Sequence, residues 1–577
     1  MELIDFFTKN LKPRQKQYEA LRAVAFKQGT TEEIATHFGY TPQSLRTLIS
    51  RLVSGKHQLF PEVKRGPKGR HTSEETVTLI VQLRREQRLN SREITQKLNQ
   101  LHVPISIRTV ERILADSGFP KLRRRTQKER GISKQGTIIP KRSVNLNLKN
   151  LKPLRTECQV AGVFFFLPYI VESGILDIVQ QCSLPESNDI GKRQAALSTL
   201  LLKLIGNERL SHIQQYNADF GFGIFAGLNV LPKPAYMCSY SCRTDAAVLM
   251  DFQRNIIEQF RHRYPALYQG KTINLDFHSI PHFGDEAEME RVWCGSRGKA
   301  LKGANTFFAQ NGKSDSLLYT RTDIKRAESS EEIKKFVDYW VDVKGVVDET
   351  LVFDSKLTRY DILYELDDHN ITFITLRRRN KKLIEETLNI PKNQWEKVYL
   401  PIPKRKHKHV NVHQNTVSLI KGKKAFRQVI VKDHGRAEPT FIISNNETIK
   451  SLELLTIYAR RWHIENKLSS LIKFFNLNAL SSPIMIRIHF DLLWTIIADT
   501  LYRLFAHDLR RFETCSTQKI FKQFVDMPGH IEYDGNTFTV KIRKRATTPI
   551  LLHVEKLKNE IRIPWLDHKP VRFVWTP

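Results

Sequence analysis

The sequence predicts a multidomain α/β protein. It should have helix-turn-helix modules at the N-terminus, a mixed-sheet core interrupted by a β-rich insertion, and a mixed C-terminal tail. Three observations predict this. The first 150 residues hold 30 lysines and arginines against 13 acids and repeat one short-helix spacing twice. Residues 272–376 alternate strand-like and helix-like runs. Residues 377–445 then add further strand-like runs before a helical pattern resumes.

A chain of 577 residues has room for three or four domains, and 41% hydrophobic residues are enough to build their cores. The net charge of +32 argues against a free-standing metabolic enzyme and for a polyanionic partner, with nucleic acid the first choice. Six cysteines, at 158, 182, 238, 242, 294 and 515, are too sparse for a disulfide scaffold. Cys238 and Cys242 have no second Cys or His pair at zinc spacing, so all six read as reduced structural thiols, as in the cytosol. The opening MELIDFFTKN has no basic-then-apolar leader pattern. The greasiest stretches are Val160–Val171, which contains Pro168, and Ile484–Phe505, which carries Arg487, Asp491, Asp499 and Arg503. Neither reads as a membrane span, and no membrane partner is expected.

The first module is placed at residues 1–60. Thr30 or Thr31 can cap a helix whose apolar face is Ile34, Ala35 and Phe38, and Gly39 can end it in a left-handed conformation. Thr41 caps the next helix, with Pro42 at its first position and Leu45, Leu48, Ile49 and Leu52 inward. Arg46 and Arg51 remain on the outer side, where a second helix of this kind reads base edges. The second module, residues 71–130, repeats the arrangement. One helix starts at Ser91 and another at Ser106, with Val110, Ile113 and Leu114 buried and Arg108 and Arg112 outside. Between the modules, KRGPKGR (64–70) supplies Arg65, Lys68 and Arg70 on a Gly/Pro arm suited to a minor groove.

Residues 150–265 read as a helical region (Gly162–Gln180, Gly191–Gly206, Thr244–Tyr264). The core begins at 266. Thr272–Phe277 is a first strand. Asn305–Gln310 and Ser316–Arg321 form a hairpin about Asn311-Gly312. Ser330–Val343 is a helix capped by Ser330, Thr350–Phe353 a fourth strand, a helix runs to about Leu366, and Ile371–Leu376 is a fifth strand. Three strands, helix, strand, helix, strand is the order of a ribonuclease-H-like sheet, here assigned to 266–376 and completed by 446–510. The insertion, 377–445, carries strands at Lys397–Ile402, Thr416–Ile420, Gln428–Val431 and Thr440–Ser444. A long helix spans about Ile449–Phe475, and Ile484–Phe505 is a buried helix. The C-terminal region, 511–577, reads as a short helix, a hairpin at Asp534-Gly535, and strands at Phe538–Ile542, Ile550–Leu557 and Ile561–Trp565.

Three carboxylates stand out in that frame: Asp276 on the first strand, Asp354 at the end of the fourth and Glu465 on the long helix. The first and fourth strands of such a sheet are neighbours, so their aspartates meet at one edge. Hard oxygen donors of this kind suit Mg²⁺, with Mn²⁺ as a substitute. Two ions per site fit in-line displacement at phosphorus. Asp285, Asp315, Asp361, Asp367 and Asp368 compete for the role, and the strand pattern favours Asp276. On the helix, Tyr458, Arg461 and Glu465 share one stripe.

The segments INLDFHSIPHFGD (273–285), TLVFDSKLTRYD (350–361) and YARRWHIENKLSSLIKFF (458–475) together resemble a DDE transposase of a bacterial insertion sequence, in the IS4-like superfamily with its Tyr-Arg-Glu-Lys signature. The resemblance spans roughly Gly191–Leu504. It implies that Asp276, Asp354 and Glu465 are catalytic and bind metal, and that Tyr458 and Arg461 contact DNA. The signature lysine is displaced by one place: Ile472 stands at its position and Lys473 follows, with Lys467 a weaker substitute. The resemblance also implies double-stranded DNA partners (terminal inverted repeats and target), a homodimer on paired ends, and a cytoplasmic, nucleoid-associated location. Two other readings stay open: a metal-dependent nuclease of the same fold that does not join ends, and a DNA-binding regulator derived from a transposase.

Overall fold

The computed structural model describes the chain except residues 1–11, 61–71, 88, 120–143, 283–288, 295–297, 323, 403–405 and 480–483. Contacts divide it into two compact units, Met1–Ile138 and Ile139–Pro577, a coarser partition than the seven segments expected.

In the first unit both helix-turn-helix pairs form as their caps dictate. Thr30 makes a capping box with Glu33 at the start of the helix Thr31–His37. Thr41 caps Pro42–Val53, and Gly39 has φ +60°. The helix Ser91–Gln100 begins at Ser91 as expected, and Asn90 caps it, its amide oxygen accepting the Glu93 N–H while the Glu93 carboxylate reaches back. Ser106 caps Ile107–Asp116. Each pair gains a third helix that helical spacing alone had not marked, Pro13–Ala25 and Glu74–Gln87. These close two separate small cores: Ala20, Ala23, Ile34, Ala35 and Leu45 in one, and Ile80, Leu83, Ile94, Leu98, Val110, Ile113 and Leu114 in the other.

The second unit holds two sheets. Strand β1 is Leu154–Cys158. The next seven are β2 Thr272–Pro281, β3 Arg291–Cys294, β4 Lys299–Asn311, β5 Leu317–Arg321, β6 Thr350–Val352, β7 Phe373–Leu376 and β8 Glu396–Tyr399. Then follow β9 His409–Val417, β10 Phe426–Lys432, β11 Thr440–Ser444, β12 Gly529–Tyr533, β13 Phe538–Arg543, β14 Ile561–Ile563 and β15 Lys569–Thr576.

The larger sheet runs β3-β4-β2-β6-β7-β11-β10-β9-β8, with β5 on the outer side of β4. Strands β2, β6 and β7 are parallel, and β7 pairs antiparallel with β11. The four strands expected to form an interrupting insertion therefore continue the core sheet. The strand expected at Thr416–Ile420 is instead His409–Val417, paired along its length with β10.

The smaller sheet is β1-β12-β13-β15-β14. Its first strand comes from the otherwise helical region 150–265 and pairs antiparallel with β12. Residues 550–557 are a short helix, Thr548–Leu551, with Pro549 in its first turn, and a 3-10 turn at Glu555–Leu557, not a strand. The helix expected to be capped by Ser330 starts at Glu332, continuing a 3-10 turn Arg326–Glu331.

One core runs through both sheets and the buried helix Met485–Asp508. The charges on that helix are paired inside the fold. Asp491 meets Lys203 at 2.8 Å, and Asp499 meets both Lys467 and Arg503. Among the described residues no single helix is long and apolar enough to cross a membrane.

Candidate active site

The parallel pairing of β2 and β6 sets Asn274 opposite Val352. Asp276 and Asp354 each lie two residues beyond that rung, so both reach the same end of the sheet. The third acid comes from a helix that is not continuous as expected. It is two helices, Ser451–Arg460 and Trp462–Phe474, meeting at Arg461. Arg461 N–H bonds Tyr458 O at 3.1 Å and Ile464 N–H bonds Arg461 O at 3.0 Å, three-residue spacings that tighten the turn there.

The Arg461 guanidinium joins two of the acids. Nη1 donates to Asp276 Oδ2 at 3.0 Å and Nη2 to Glu465 Oε1 at 2.9 Å. Asp276 and Arg461 are largely buried, with side chains 14% and 13% exposed, whereas Glu465 is 47% exposed. Burial pushes the Asp276 carboxyl up to about 6. Arg461 opposes that rise, and the charges of Asp354 and Glu465 add to it. Arg461 is held charged above its usual range: burial opposes, but Asp276, Tyr458, Asp354 and Glu465 outweigh it. Burial also pushes the Tyr458 phenol up to about 12.

Beside these groups lies a cleft of about 610 Å³ lined by Asp354, Tyr458, Arg461, Trp462 and Glu465. The same cleft is also lined by the cations Arg377, Arg378, Arg379 and Arg436 and by His434. Arg378 Nε donates to Ser355 O at 3.3 Å, tying this lining to the turn after Asp354. The arginine run was visible in the sequence as a basic cluster. Its position beside Asp354 depends on the β7–β11 pairing and was not. Trp462, 60% exposed, was also missed.

The remaining expected residues fall as follows. Arg51, Arg108 and Arg112 are exposed on the second helices of their modules. Arg46 is exposed too, in a 3.2 Å pair with Glu32 of the kind that contributes little. Arg65, Lys68 and Arg70 lie outside the described residues. Lys473 is exposed on the helix that carries Glu465. Lys467 is no substitute for it, being buried and paired with Asp499. Of the competing acids, Asp285 lies outside the described residues. Asp315 accepts from Gln310, Asp361 is gripped by Arg359, and Asp367 pairs with Lys424. His278 bonds Asn478 at 2.7 Å, and burial lowers its pKa.

The donor chemistry suits a hard divalent cation: Asp276 and Asp354 reach the same end of the sheet, Glu465 comes from the helix beside them, and the buried Asp276 has an elevated pKa that a cation would relieve. Among the described residues, however, no three His, Cys, Asp or Glu side chains are grouped closely enough to hold a metal ion. The Arg461 fork stands between Asp276 and Glu465.

Residues 272–501, which contain all three acids, match the family model described as "Transposase DDE domain". A DDE transposase domain therefore occupies this part of the chain. No curated protein matches the chain. Among solved structures, a piggyBac transposase synaptic complex with hairpin DNA aligns at 10% identity over 64% of this chain and 82% of that one, with a TM-score of 0.33. A pre-cleavage Mos1 transpososome aligns at 9% identity over 63% and 77%, with a TM-score of 0.14. A Mos1 mariner paired-end complex with Mn aligns at 9% identity over 66% and 89%, with a TM-score of 0.11. Likenesses with TM-scores this low carry no argument about function.

Proposed function

We propose that the protein is a DNA transposase of the insertion-sequence type, with the signature and ribonuclease-H-like core described above. The observation that carries this reading is the bridging of Asp276 and Glu465 by Arg461 in a cleft that Asp354 also lines, beside a run of arginines. The adjacency of β2 and β6, the first and fourth strands of the expected core, supports it.

The two N-terminal modules bind element-end inverted repeats through Arg46, Arg51, Arg108 and Arg112, with Arg65, Lys68 and Arg70 on the arm between. Asp276, Asp354 and Glu465 would hold divalent ions, Mg²⁺ or Mn²⁺ and two per site, which would supply a more acidic attacking oxygen and charge stabilisation at the leaving oxygen. The chain's own groups do the positioning. An incoming phosphate competes with the acids for Arg461, whose fork suits a phosphate equally well, and so releases Asp276 and Glu465. Tyr458 and Lys473 contact the same strand.

In the first reaction water attacks phosphorus and the P–O3′ bond breaks, leaving a 3′-hydroxyl and a 5′-phosphate. In the second, that hydroxyl attacks a target phosphodiester, and the target's O3′ leaves with the proton balance restored from water. A homodimer would act on paired ends, in the cytoplasm and associated with the nucleoid.

The test is an oligonucleotide assay with the DNA that borders the coding sequence. Mg²⁺-dependent joined products support the proposal. Nicks without joining favour a nuclease, and end binding without any cutting favours a regulator.

A further inference from the structure

Asp354 opens a turn that folds back on its own carboxylate. Lys356 N–H donates to Asp354 Oδ1 at 2.9 Å, and Thr358 Oγ1 donates to Asp354 O at 3.2 Å. The turn sets the direction in which the Lys356 side chain leaves. It crosses β2 to reach β4, where Nζ donates to Asn305 Oδ1 at 3.3 Å. On the way the ammonium lies 4.4 Å from the Phe277 ring centroid.

The register shows which side of the sheet this is. Asn305 stands opposite Ser279, two residues from Phe277, so all three share one face. Asp276 belongs to the other face, where Arg461 meets it. Arg461 and Lys356 thus flank the acids from opposite faces of one sheet edge.

Their partners differ in kind. Arg461 is neutralised by two carboxylates. Among the described residues, the contacts of the Lys356 ammonium are an amide oxygen and an aromatic ring. Neither cancels its charge, and neither depends on it for satisfaction. Asn305 also donates to Ile324 O at 3.4 Å, and Phe277 packs edge-on against Phe307 at 5.2 Å. Burial weighs most on the Lys356 charge; Asp354 and Asp276 favour it from a distance without an ion-pair contact, and Arg326 opposes it. A rim lysine held over an aromatic ring, beside a second cation and without a carboxylate contact, is arranged to meet an anion from outside.

We infer that Lys356 is a substrate-contacting residue of this edge: its ammonium binds a non-bridging phosphate oxygen of the DNA strand crossing the ends of β2 and β6, on the face opposite Arg461. The inference rests on the DNA-cleaving reading above and extends it to a residue outside the acid triad and the Tyr-Arg-Glu-Lys signature.

The experiment is single-turnover cleavage by the full chain, on end duplexes carrying one neutral methylphosphonate at successive positions of the cleaved strand. Lys356→Met should slow cleavage at saturating DNA about 30-fold, with end binding changed less than about threefold, and Lys356→Arg should recover most of the rate. At one position the methylphosphonate should slow the unaltered protein yet leave Lys356→Met no slower than before. A penalty that persists at every position would mean that the lysine merely props Asn305, and would overturn the contact. Cleavage by Lys356→Met at the unaltered rate would overturn it too. Thermal midpoints control for folding, and Lys356→Gln replaces the Met variant if that variant does not fold. Failure of the unaltered chain to cut at all removes the transposase reading itself, and this contact with it.

Discussion

Two ionic clusters sit on one helix, Trp462–Phe474, and face different worlds. At its first turn Glu465 meets Arg461, with one partner half exposed and a cleft alongside. Barely half a turn on, Lys467 points the other way into the core, where Asp499 is 2% exposed and also binds Arg503. The chemistry of the pairs is the same; what differs is access. A buried pair is dangerous to break, because removing one member strands the other away from water. A pair at a cleft can be exchanged for a ligand.

The largest expected contrast tests that distinction directly. Asp276→Asn should lower Mg²⁺-dependent cleavage about 10³-fold while end binding and circular dichroism stay unchanged. Retained cleavage would take Asp276 out of the site. In the core, Asp499→Ala should cost about 3–5 kcal/mol in denaturant unfolding, because it leaves Lys467 and Arg503 without their acid. Replacing Lys467 and Asp499 together by Met and Leu should recover much of the loss. If the single variant is as stable as the parent, the cluster does not hold the core together.

The same core holds His489, which makes the contrast pH-dependent. Burial lowers its pKa to about 4, and the charge of Arg321 adds to this. Among the described residues its buried Nε2 has no hydrogen-bond partner. The unfolded chain, with an ordinary histidine pKa of about 6.5, binds more protons than the native one between those values. Stability should therefore fall as pH drops from about 6.5 to 4, by up to about 3 kcal/mol, and His489→Phe should flatten that limb in pH-resolved melts. The smallest effect belongs to the cleft. Arg461→Gln should tighten Mn²⁺ binding by DNA-free protein several-fold in calorimetry, since it removes the cation that competes for Asp276 and Glu465.

Much of this was legible from the amino acids because it rests on local chemistry. Thr41 caps the helix it was expected to cap, Thr30 proves to be the cap of the two threonines considered, and Ser106 stands at the start of its helix as its cap. The alternation that marked β2, β6 and β7 also predicted that Asp276 and Asp354 would end on neighbouring strands. The rest depends on partners distant in sequence. Nothing near Leu154–Cys158 announces a strand whose partner is Gly529–Tyr533. The segment His409–Val417 sets Val410 and Val412 among His, Asn and Gln, so its strand signal is diluted, and β10 and β8 supply its pairing. The break at Arg461 and the inward turn of Lys467 are set by tertiary contacts, so helical spacing could not reveal either.

The far border of the larger sheet carries its own consequence. Strand β8 is four residues long, pairs on one side with β9, and exposes Glu396 and Lys397. A short, charged border strand is a poor template for another chain's backbone. Copies brought together on nucleic acid would then not fuse into a continuous ribbon at that margin, and a strongly cationic protein that gathers at high local density on its ligand would be kept from aggregating there.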